Sequence, residues 1–554
     1  MKILESNKFR ILLSIFIVIL FFGICLDFSF SKVLLSHVDE ATAFSSDFKR
    51  VLIYFLLLIG SFFFLKKKFR FFVLPLYIIL IIQFINFSNT GVFLSPLTIE
   101  NLGEFRSIGL ALIVKLSFLF LLSILLFAYL VVFIPKISVS RTLKSRILVS
   151  LFSVLLIIFT LRTSYPVARF IESFHIVYLN NYAEIERNDG EQFRKTFVNT
   201  FKSKGIENPI NPNEENLSLI IIFTEGLSDR VISEKVTPNL FKLKQNSLVF
   251  NNYYNHTAPT FRGLRGQLIS GFVRVANSDV NNMSQRRLAQ MFENAGESLP
   301  YIFNLMNYDS IFIGPHVSAD KLYSYMKTTG FTTVRTADDY SDNRSCHDVL
   351  SDRDIFSFLV KTLEDEESKH NHFFISMYNI QTHHGIVVND KVYGNGDNDF
   401  YNKFYNYDYW LGNFLNWFNS NSISDNTVLV ITADHSSYAV PLFESSFNFK
   451  SHTNSKFVDN VPFIVYKKGV TPHIYNAHGR NSLCLAPTLL DLMGLDNVKT
   501  HFLGSSLFED NDSEFEHISI IGADSIRTSE SEYHDIELDK AVRQTLDNYF
   551  GFSG

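Results

Sequence analysis

Cysteine is scarce in this sequence. Cys25, Cys346 and Cys484 are the only three in 554 residues. So few and such widely spaced thiols exclude a disulfide framework and a cysteine-rich metal site, both of which need several cysteines at short spacing. Cys25 lies within an apolar run, so at most one disulfide bond remains for the rest of the chain.

An excess of charge of one sign is also missing. The formal net charge is -5, from 50 basic and 55 acidic residues, and the chain has no long basic run. Nucleic-acid-binding domains concentrate lysine and arginine on one surface. The sequence therefore predicts no nucleic-acid partner.

Apolar residues, in contrast, are abundant. The chain is 47% hydrophobic and 15% aromatic, with 57 phenylalanines, which is too apolar for one ordinary soluble domain. Nearly all of the excess lies in the first third. From about residue 185 onward the composition is that of a globular domain large enough to bury its own core. We therefore expect two parts of different physical kind.

Five apolar runs in the first third approach the length that crosses a bilayer, about 17–25 residues. The second and fifth runs need their flanking residues to reach that length, and Lys115 in the fourth has to face the helix bundle or extend to the bilayer surface. Core helices are the alternative, but five such runs so close together favour membrane spans. The runs are 11–28, 51–65, 71–87, 108–134 and 147–161.

Basic residues between these runs predict the orientation of the chain. Lysines and arginines precede the first run, separate the second from the third, and separate the fourth from the fifth. Such segments face the cytoplasm, so five crossings leave the rest of the chain on the outer face. The first run has no clear small-residue cleavage site, and we expect it to be retained. We predict a five-helix membrane domain at 1–162, a membrane-proximal connector and linker at 163–215 and an extracytoplasmic domain at 216–554.

The predicted outer domain alternates short apolar runs with helical patterns. This alternation indicates an α/β fold with a mostly parallel central sheet covered on both faces. Ligands of such sheets bind beyond the carboxyl ends of the strands, so polar residues at strand ends are candidate site residues. The predicted strands are 217–225, 310–316, 372–380, 426–435 and 460–468.

Two of the predicted strands end in acidic residues or histidine. LSLIIIFTEG delivers Glu225, and VLVITADHSS delivers Asp434 followed by His435. Alone, Glu225 fits a helix-capping carboxylate better than a metal ligand. Asp434 and His435 fit a polar strand end as well as a metal site, because consecutive residues converge on one ion only where the strand has ended.

A third segment, NHTAPTFRGLRGQLISG (255–271), places Thr257 and Thr260 before a stretch with a helical pattern. A threonine at a helix start is ordinarily an N-cap. The same position also offers backbone N–H groups to an anion, and a hydroxyl beside a divalent cation becomes a nucleophile. Both threonines are therefore candidate nucleophiles.

The order of Glu225, the segment TFRGL that begins at Thr260, and the late Asp434-His435 pair resembles the alkaline phosphatase and sulfatase superfamily. The chain is most similar to the membrane-anchored branch that includes lipoteichoic acid synthase and the phosphoglycerol and phosphoethanolamine transferases. VPFIVYKKG and APTLLDLMGL resemble that branch's Val-Pro strand and Pro-Thr-Leu-Leu-Asp-Leu helix. The resemblance covers the whole chain, since that branch also has about five N-terminal spans.

The resemblance implies a metal site and a set of substrate contacts. Manganese, zinc and magnesium fit the implied ligands equally, and a second ion is an open alternative. His383 is the implied histidine beside the transferred phosphate, with His384 as second choice, and it also serves as proton carrier. The implied metal ligands are Glu225, Thr260, Asp434 and His435, and the implied substrate-binding residues are His383, His384, His452 and Arg262.

The function implied by the resemblance is transfer of a phospholipid head group, through a phosphothreonine, to an envelope glycan or lipid acceptor. The site then lies on the extracytoplasmic face of a bacterial inner or plasma membrane. Few cysteines favour phosphoglycerol, because the best-known phosphoethanolamine transferases carry several disulfides. One alternative is a sulfatase or phosphodiester hydrolase, although sulfatases need Cys or Ser where Thr257 stands. Another is a non-catalytic binding or sensory protein, which the four retained ligands disfavour.

Overall fold

The structure is a computed structural model, and the statements below concern the residues that it describes. The predicted spans 11–28, 51–65 and 147–161, most of the predicted connector, and His452 lie outside them. The described residues are 67–90, 94, 99, 110–133, 166–168, 170–171, 173–174, 199–201, 209–210, 217–273, 297–318, 321–340, 349–369, 371–449, 457–495, 498–509, 513–521 and 524–553.

Contacts within the chain define two compact units. The first comprises Met1–Ile99, Ile108–Leu179 and Val440–Ser445, and the second comprises Glu100–Ser107, Asn180–Ala439 and Ser446–Gly554. The predicted boundaries near residues 162 and 215 stay predictions.

The described part of the first unit is helical. A 3-10 turn, Lys67–Val73, leads into the helix Leu74–Thr90, and a second helix spans Leu110–Phe133. These helices coincide with two of the five predicted spans, 71–87 and 108–134. Within the described ranges, no helix combines the length and the hydropathy needed to cross a membrane.

The second unit is built around an eight-stranded sheet. Its strand order is β10-β3-β9-β8-β2-β7-β5-β6. The strands of the chain are β1 (Asn199–Phe201), β2 (Ser218–Thr224), β3 (Leu248–Asn251), β4 (Thr257–Ala258), β5 (Asp309–Ile313), β6 (Thr333–Arg335), β7 (Phe373–Tyr378), β8 (Thr427–Ala433), β9 (Ile464–Tyr466), β10 (His473–Asn476), β11 (Val498–Thr500), β12 (Ile518–Ile521), β13 (Asp524–Thr528) and β14 (Tyr533–Ile536).

The predicted mostly parallel sheet is confirmed. β2, β7 and β8 are buried along their whole length, because their apolar runs can lose water on both faces of the sheet. β2 pairs in parallel with both β7 and β8. The strand β9, within the predicted strand 460–468, instead runs antiparallel to β8 and β3, which makes the sheet mixed.

A second sheet was not predicted from the sequence. It has the order β14-β13-β12-β4, and β4 pairs in parallel with β12 through Thr257 and Ile520. Its strands are short and several of their residues are partly exposed, so they lack the apolar runs that revealed the central strands. This sheet holds the chain immediately before Thr260. A separate antiparallel pair joins β1 and β11.

Helices occupy most of the remaining described chain. In the helix Asp399–Ser420, the Asp408 carboxylate accepts the backbone N–H groups of Asn239 at 3.0 Å and Leu240 at 2.8 Å. It thereby caps the helix Pro238–Gln245, whose first N–H groups have no partner within the helix. The other helices are Thr260–Ile269, Leu299–Leu305, Lys321–Lys327, Ala337–Tyr340, Asp352–Lys369, Pro441–Ser446, Leu485–Leu492 and Lys540–Ser553, with 3-10 turns at Asp229–Val231, Ser422–Asn426, Ser482–Cys484 and Glu514–His517.

Candidate active site

The carboxyl ends of adjacent central strands bring three polar residues together. Glu225 follows β2, and Asp434 and His435 follow β8, in which Ala433 pairs with Thr224. All three side chains are buried. Their ligand atoms lie within 4.8 Å of one another. The structure thus joins residues that the sequence separates by about 200 positions.

The histidine of this cluster presents one ring nitrogen to the carboxylates. His435 Nδ1 lies 2.7 Å from the Ser436 carbonyl oxygen, which only accepts, so Nδ1 carries the proton that it donates. In the neutral ring, which is the form that would bind a cation, Nε2 is left with its lone pair. It lies 3.4 Å from both Glu225 Oε1 and Asp434 Oδ2.

Two ligand atoms of the cluster lack hydrogen-bond partners. Asp434 Oδ1 accepts the N–H groups of Gly226 at 2.9 Å and His435 at 2.8 Å, whereas Asp434 Oδ2 and His435 Nε2 are buried without a partner among the described residues. Buried polar atoms are almost always satisfied. Two carboxylates and an imidazole nitrogen suit a divalent cation, so these residues fit the metal ion that the resemblance implies.

The pKa values of the two carboxyl groups in this cluster shift in opposite directions. Burial and, after it, the neighbouring negative charge of Glu225 together raise the pKa of Asp434 to about 8. Burial also opposes ionisation of Glu225, but the positive charges of His435 and His383 prevail and lower its pKa. Asp434 therefore retains a proton at neutral pH, which a bound cation would displace.

The hydroxyl of Thr260 lies against this cluster. Thr260 opens the helix Thr260–Ile269, and its Oγ1 donates to Glu225 Oε2 at 3.0 Å. Tyr378, the last residue of β7, donates to the same oxygen at 2.5 Å. In contrast, Thr257 Oγ1 donates to the Ile520 carbonyl at 2.8 Å within the second sheet. Of the two candidate nucleophiles, the structure brings Thr260 to the cluster.

Close packing fixes the Thr260 helix against the end of β8. A Cβ at Gly263 would lie 2.1 Å from the Asp434 carbonyl oxygen, so only glycine allows this approach. Gln267 Nε2 donates to the Ala433 carbonyl at 2.9 Å, where it secures the helix to the strand end. Arg262 is buried in the same helix. Burial raises the pKa of Tyr325 to about 12 against the opposing charges of Arg265 and Arg262.

The two consecutive histidines have different surroundings. The charge of His383 contributes to the low pKa of Glu225, and its buried Nδ1 has no partner among the described residues. His384 stacks on Phe400, with ring centroids 6.0 Å apart, and burial lowers its pKa to about 3. The structure thus places His383 within electrostatic reach of the cluster and His384 against an aromatic ring.

Two polar residues that support Glu225 were missed in the sequence. Asn379 Oδ1 accepts the Glu225 backbone N–H at 3.0 Å, and Thr382 Oγ1 donates to the Glu225 carbonyl at 2.7 Å. Tyr378, which contacts the Glu225 carboxylate, was also missed. All three lie at the carboxyl end of β7, so the rule that identified Glu225 and Asp434 would have found them too.

Comparison with known proteins gives one family and several distant structures. Residues 218–495 match the sulfatase family. A Vibrio parahaemolyticus protein of the alkaline phosphatase superfamily has 17% identity and a TM-score of 0.49, covering 68% of this chain and 97% of that one. The lipoteichoic acid synthase LtaP from Listeria monocytogenes has 13% identity and a TM-score of 0.46, with coverages of 66% and 96%. The phosphonate monoester hydrolase SpPMH from Silicibacter pomeroyi has 13% identity and a TM-score of 0.36, with coverages of 55% and 79%. No curated protein gives a significant match.

The family match spans half of the chain and contains every candidate residue described above. It begins at the first residue of β2 and includes the ends of β2, β7 and β8 and the Thr260 helix. This chain therefore belongs to the sulfatase family, and it is an enzyme of the sulfatase and alkaline phosphatase superfamily that acts on phosphate or sulfate esters.

Proposed function

We propose that this chain is a metal-dependent transferase that moves a phospholipid head group, through a phosphothreonine intermediate, to a cell-envelope glycan or lipid acceptor. Phosphoglycerol is the preferred head group and phosphoethanolamine the second candidate. The observation that carries the proposal is the Thr260 hydroxyl, 3.0 Å from Glu225 Oε2 at the start of a helix. A nucleophilic side chain adjoining a buried ligand cluster supports a covalent mechanism.

The residues that would hold a divalent cation are Glu225, Asp434, His435 and Thr260. The bound cation would lower the pKa of the hydroxyl and offset the charge that develops on the phosphoryl oxygens. Asp434 Oδ2 and His435 Nε2 are already directed into the cluster, because Asp434 Oδ1 and His435 Nδ1 are held by backbone groups. This ordering reduces the reorganisation that binding would require.

In the first step, Thr260 Oγ1 forms a bond to the donor phosphorus and the bond from phosphorus to the diacylglycerol oxygen breaks. The hydrogen bond from Thr260 directs the departing hydroxyl proton towards Glu225 Oε2. Tyr378 donates to the same oxygen and holds the carboxylate in position. The departing diacylglycerol oxygen takes up the proton that Thr260 has released, so diacylglycerol leaves as the neutral alcohol and the head group remains on Thr260.

In the second step, an acceptor hydroxyl forms the new bond to phosphorus and the bond between phosphorus and Thr260 breaks. The acceptor loses its proton as Thr260 regains one. His383 is the proposed proton carrier for both oxygens, because its buried Nδ1 has no partner among the described residues and its charge acts on Glu225. The threonine is then free for another cycle.

We also propose that the apolar first third anchors the enzyme in a bacterial membrane with the site on the extracytoplasmic face. The support is the series of apolar runs and the distribution of basic residues between them. A membrane anchor keeps the site within reach of a phospholipid donor and restricts the search to two dimensions.

The decisive experiment uses the full chain in mixed micelles with Mn²⁺ and a fluorescent phosphatidylglycerol. We expect release of fluorescent diacylglycerol and a glycerophosphate adduct on the peptide that contains Thr260, seen by mass spectrometry after acid quenching. Phosphatidylethanolamine in a parallel reaction tests the second head group. Diacylglycerol release without any adduct on Thr260 would refute the covalent mechanism, and release of free glycerophosphate with every acceptor offered would indicate a hydrolase.

A further inference from the structure

Lys403 is a buried cation that the mechanism above does not use. It lies in the helix Asp399–Ser420, and its side chain is 2% exposed. Its Nζ donates to the His383 carbonyl oxygen at 2.8 Å and lies 4.8 Å from the centre of the Phe400 ring. A lysine so deeply buried is uncommon in proteins unless it is paired or functional.

The Lys403 ammonium group has no salt bridge with any carboxylate of the described residues. One carbonyl acceptor leaves two of its three N–H donors for other groups. The charges of Asp399 and Glu225 act on it, and its own charge acts on His384. His383 faces it through the backbone carbonyl. Burial of an unpaired charge is costly, and here it lowers the pKa of Lys403 to about 8.

The position of Lys403 connects this charge to the site. The His383 carbonyl that it contacts also accepts the N–H of Ile386 at 3.2 Å, and His383 N–H donates to the Ile380 carbonyl at 2.9 Å. Lys403 therefore secures a tight turn that carries His383. Since Glu225 acts on Lys403 electrostatically, the ammonium charge also reaches the ligand cluster.

We propose that Lys403 is a positioning residue whose buried positive charge, placed behind His383, increases the affinity of the site for the anionic group of its ester substrate. No carboxylate of the described residues forms a salt bridge with this ammonium group. A phosphate or sulfate oxyanion bound in the site would supply the missing negative charge. The inference deepens the proposed function, but it requires only an anionic ester, which phosphodiesters, phosphomonoesters and sulfate esters all provide.

The test measures binding of sulfate to the full chain loaded with Mn²⁺, by calorimetry from pH 7 to 9.5. Sulfate keeps its charge over this range, so a change in affinity reports on the protein. Loss of the proton from Lys403 is expected to weaken wild-type binding about tenfold as the pH rises past 8. Lys403→Arg should retain its affinity through the same range, because guanidinium stays protonated.

Lys403→Met removes the charge while preserving much of the length and volume. We expect it to bind sulfate about tenfold more weakly than wild type at pH 7 and to lose the decrease above pH 8. Lys391→Met is the matched control, since Lys391 lies in the neighbouring loop and is partly exposed, and it should behave as wild type.

A Lys403→Met protein that keeps the wild-type decrease above pH 8 would overturn the proposal. If that variant does not fold, wild type and Lys403→Arg still decide, because equal decreases in both would show that another group titrates. Sulfate is a probe and not a donor, so failure of phospholipid transfer would leave this result intact.

Discussion

The hydroxyl of Thr260 and the carboxylate of Glu225 meet at 3.0 Å across 35 positions of the chain. One is the first residue of a helix and the other follows a central strand. The contact therefore depends on how the helix is docked on the sheet. Substitutions where the Thr260 helix packs against the end of β8 should therefore lower the reaction rate, as substitutions of the reacting groups do.

Substitution of the nucleophile should separate the two candidate threonines. We expect Thr260→Ala to reduce head-group release about a thousandfold or more, because the covalent step loses its attacking oxygen. Thr260→Ser should retain measurable turnover and form the adduct. Thr257→Val is the matched control, since Thr257 Oγ1 bonds to the Ile520 carbonyl. A phosphothreonine mapped to Thr257 would contradict this assignment.

Asp434→Asn should abolish stabilisation by metal without weakening the metal-free fold. Asp434 retains a proton below about pH 8 in the cation-free cluster, so the amide is close to an isostere of the form present at pH 7. Wild type should gain about 2.7 kcal/mol of stability at a Mn²⁺ concentration of 100 times the Kd. Thermal unfolding with and without Mn²⁺ measures this, with the exposed Asp425→Asn as control. Equal Mn²⁺ shifts in wild type and Asp434→Asn would rule out this ligand role.

The stability of the protein should depend on pH through Asp352. Burial raises the pKa of Asp352 to about 6, although Asn379 and Asn406 donate to its carboxylate. Between the unfolded pKa of about 4 and this value, the folded state keeps a proton that the unfolded state releases. The stabilisation, about 3 kcal/mol in all, is therefore fully present below about pH 4 and is lost as the pH rises from about 4 through 6.

Urea unfolding of wild type and Asp352→Asn at several pH values isolates this contribution. The free energy of unfolding of wild type relative to that of Asp352→Asn should fall by about 2 kcal/mol between pH 4 and 7. A difference that stays constant over this range would show that Asp352 does not titrate with a raised pKa. Both measurements are made without metal, so that Asp434 contributes equally to each protein.

Gly263→Ala should disable the site. The added Cβ would meet the Asp434 carbonyl oxygen at 2.1 Å, so the helix has to move away from the strand end. We expect a loss of at least about 2 kcal/mol of stability and about a hundredfold in turnover. Gly314→Ala is the control, because the three atoms nearest to its Cβ belong to the side chains of Phe312, at 3.2 Å, and Leu322, at 3.8 Å, and not to the backbone. Wild-type turnover by Gly263→Ala would disprove the requirement for close packing.

The two adjacent histidines should differ in their effect on rate. We expect His383→Gln to reduce turnover about a hundredfold or more, because a proton carrier near Glu225 is lost. His384→Phe should stay within a few-fold of wild type, since it preserves an aromatic ring stacked on Phe400. The pH dependence of kcat provides the second measurement. A greater loss in His384→Phe than in His383→Gln would reverse the assignment.

The central part of the fold could be predicted because its residues carry strong local patterns. β2 and β8 are continuous apolar runs that end in Glu225 and in Asp434 with His435. The position of those ends in a parallel sheet is sufficient to suggest a shared site. The resemblance then selected Thr260 from two threonines, and the structure brings that residue to Glu225.

The remaining features depend on tertiary contacts that no local pattern reveals. The second sheet consists of short, partly exposed strands. The antiparallel direction of β9 is set by its neighbours. Lys403 lies in a helix whose sequence, DFYNKFYNYDYW, gives no sign that the lysine faces inward. These features can be identified only from the folded structure, in which segments distant in the sequence pack together.

The contact of Gly226 N–H with Asp434 Oδ1 spans 208 positions. At a synthesis rate of about 5–20 residues per second, Asp434 is made roughly 10–40 s after Glu225. Until then the nascent chain has only Glu225 and Thr260 of the four proposed ligands, and these two alone would hold a metal ion weakly. The order of the residues in the gene therefore delays metal capture until the sheet can close around it.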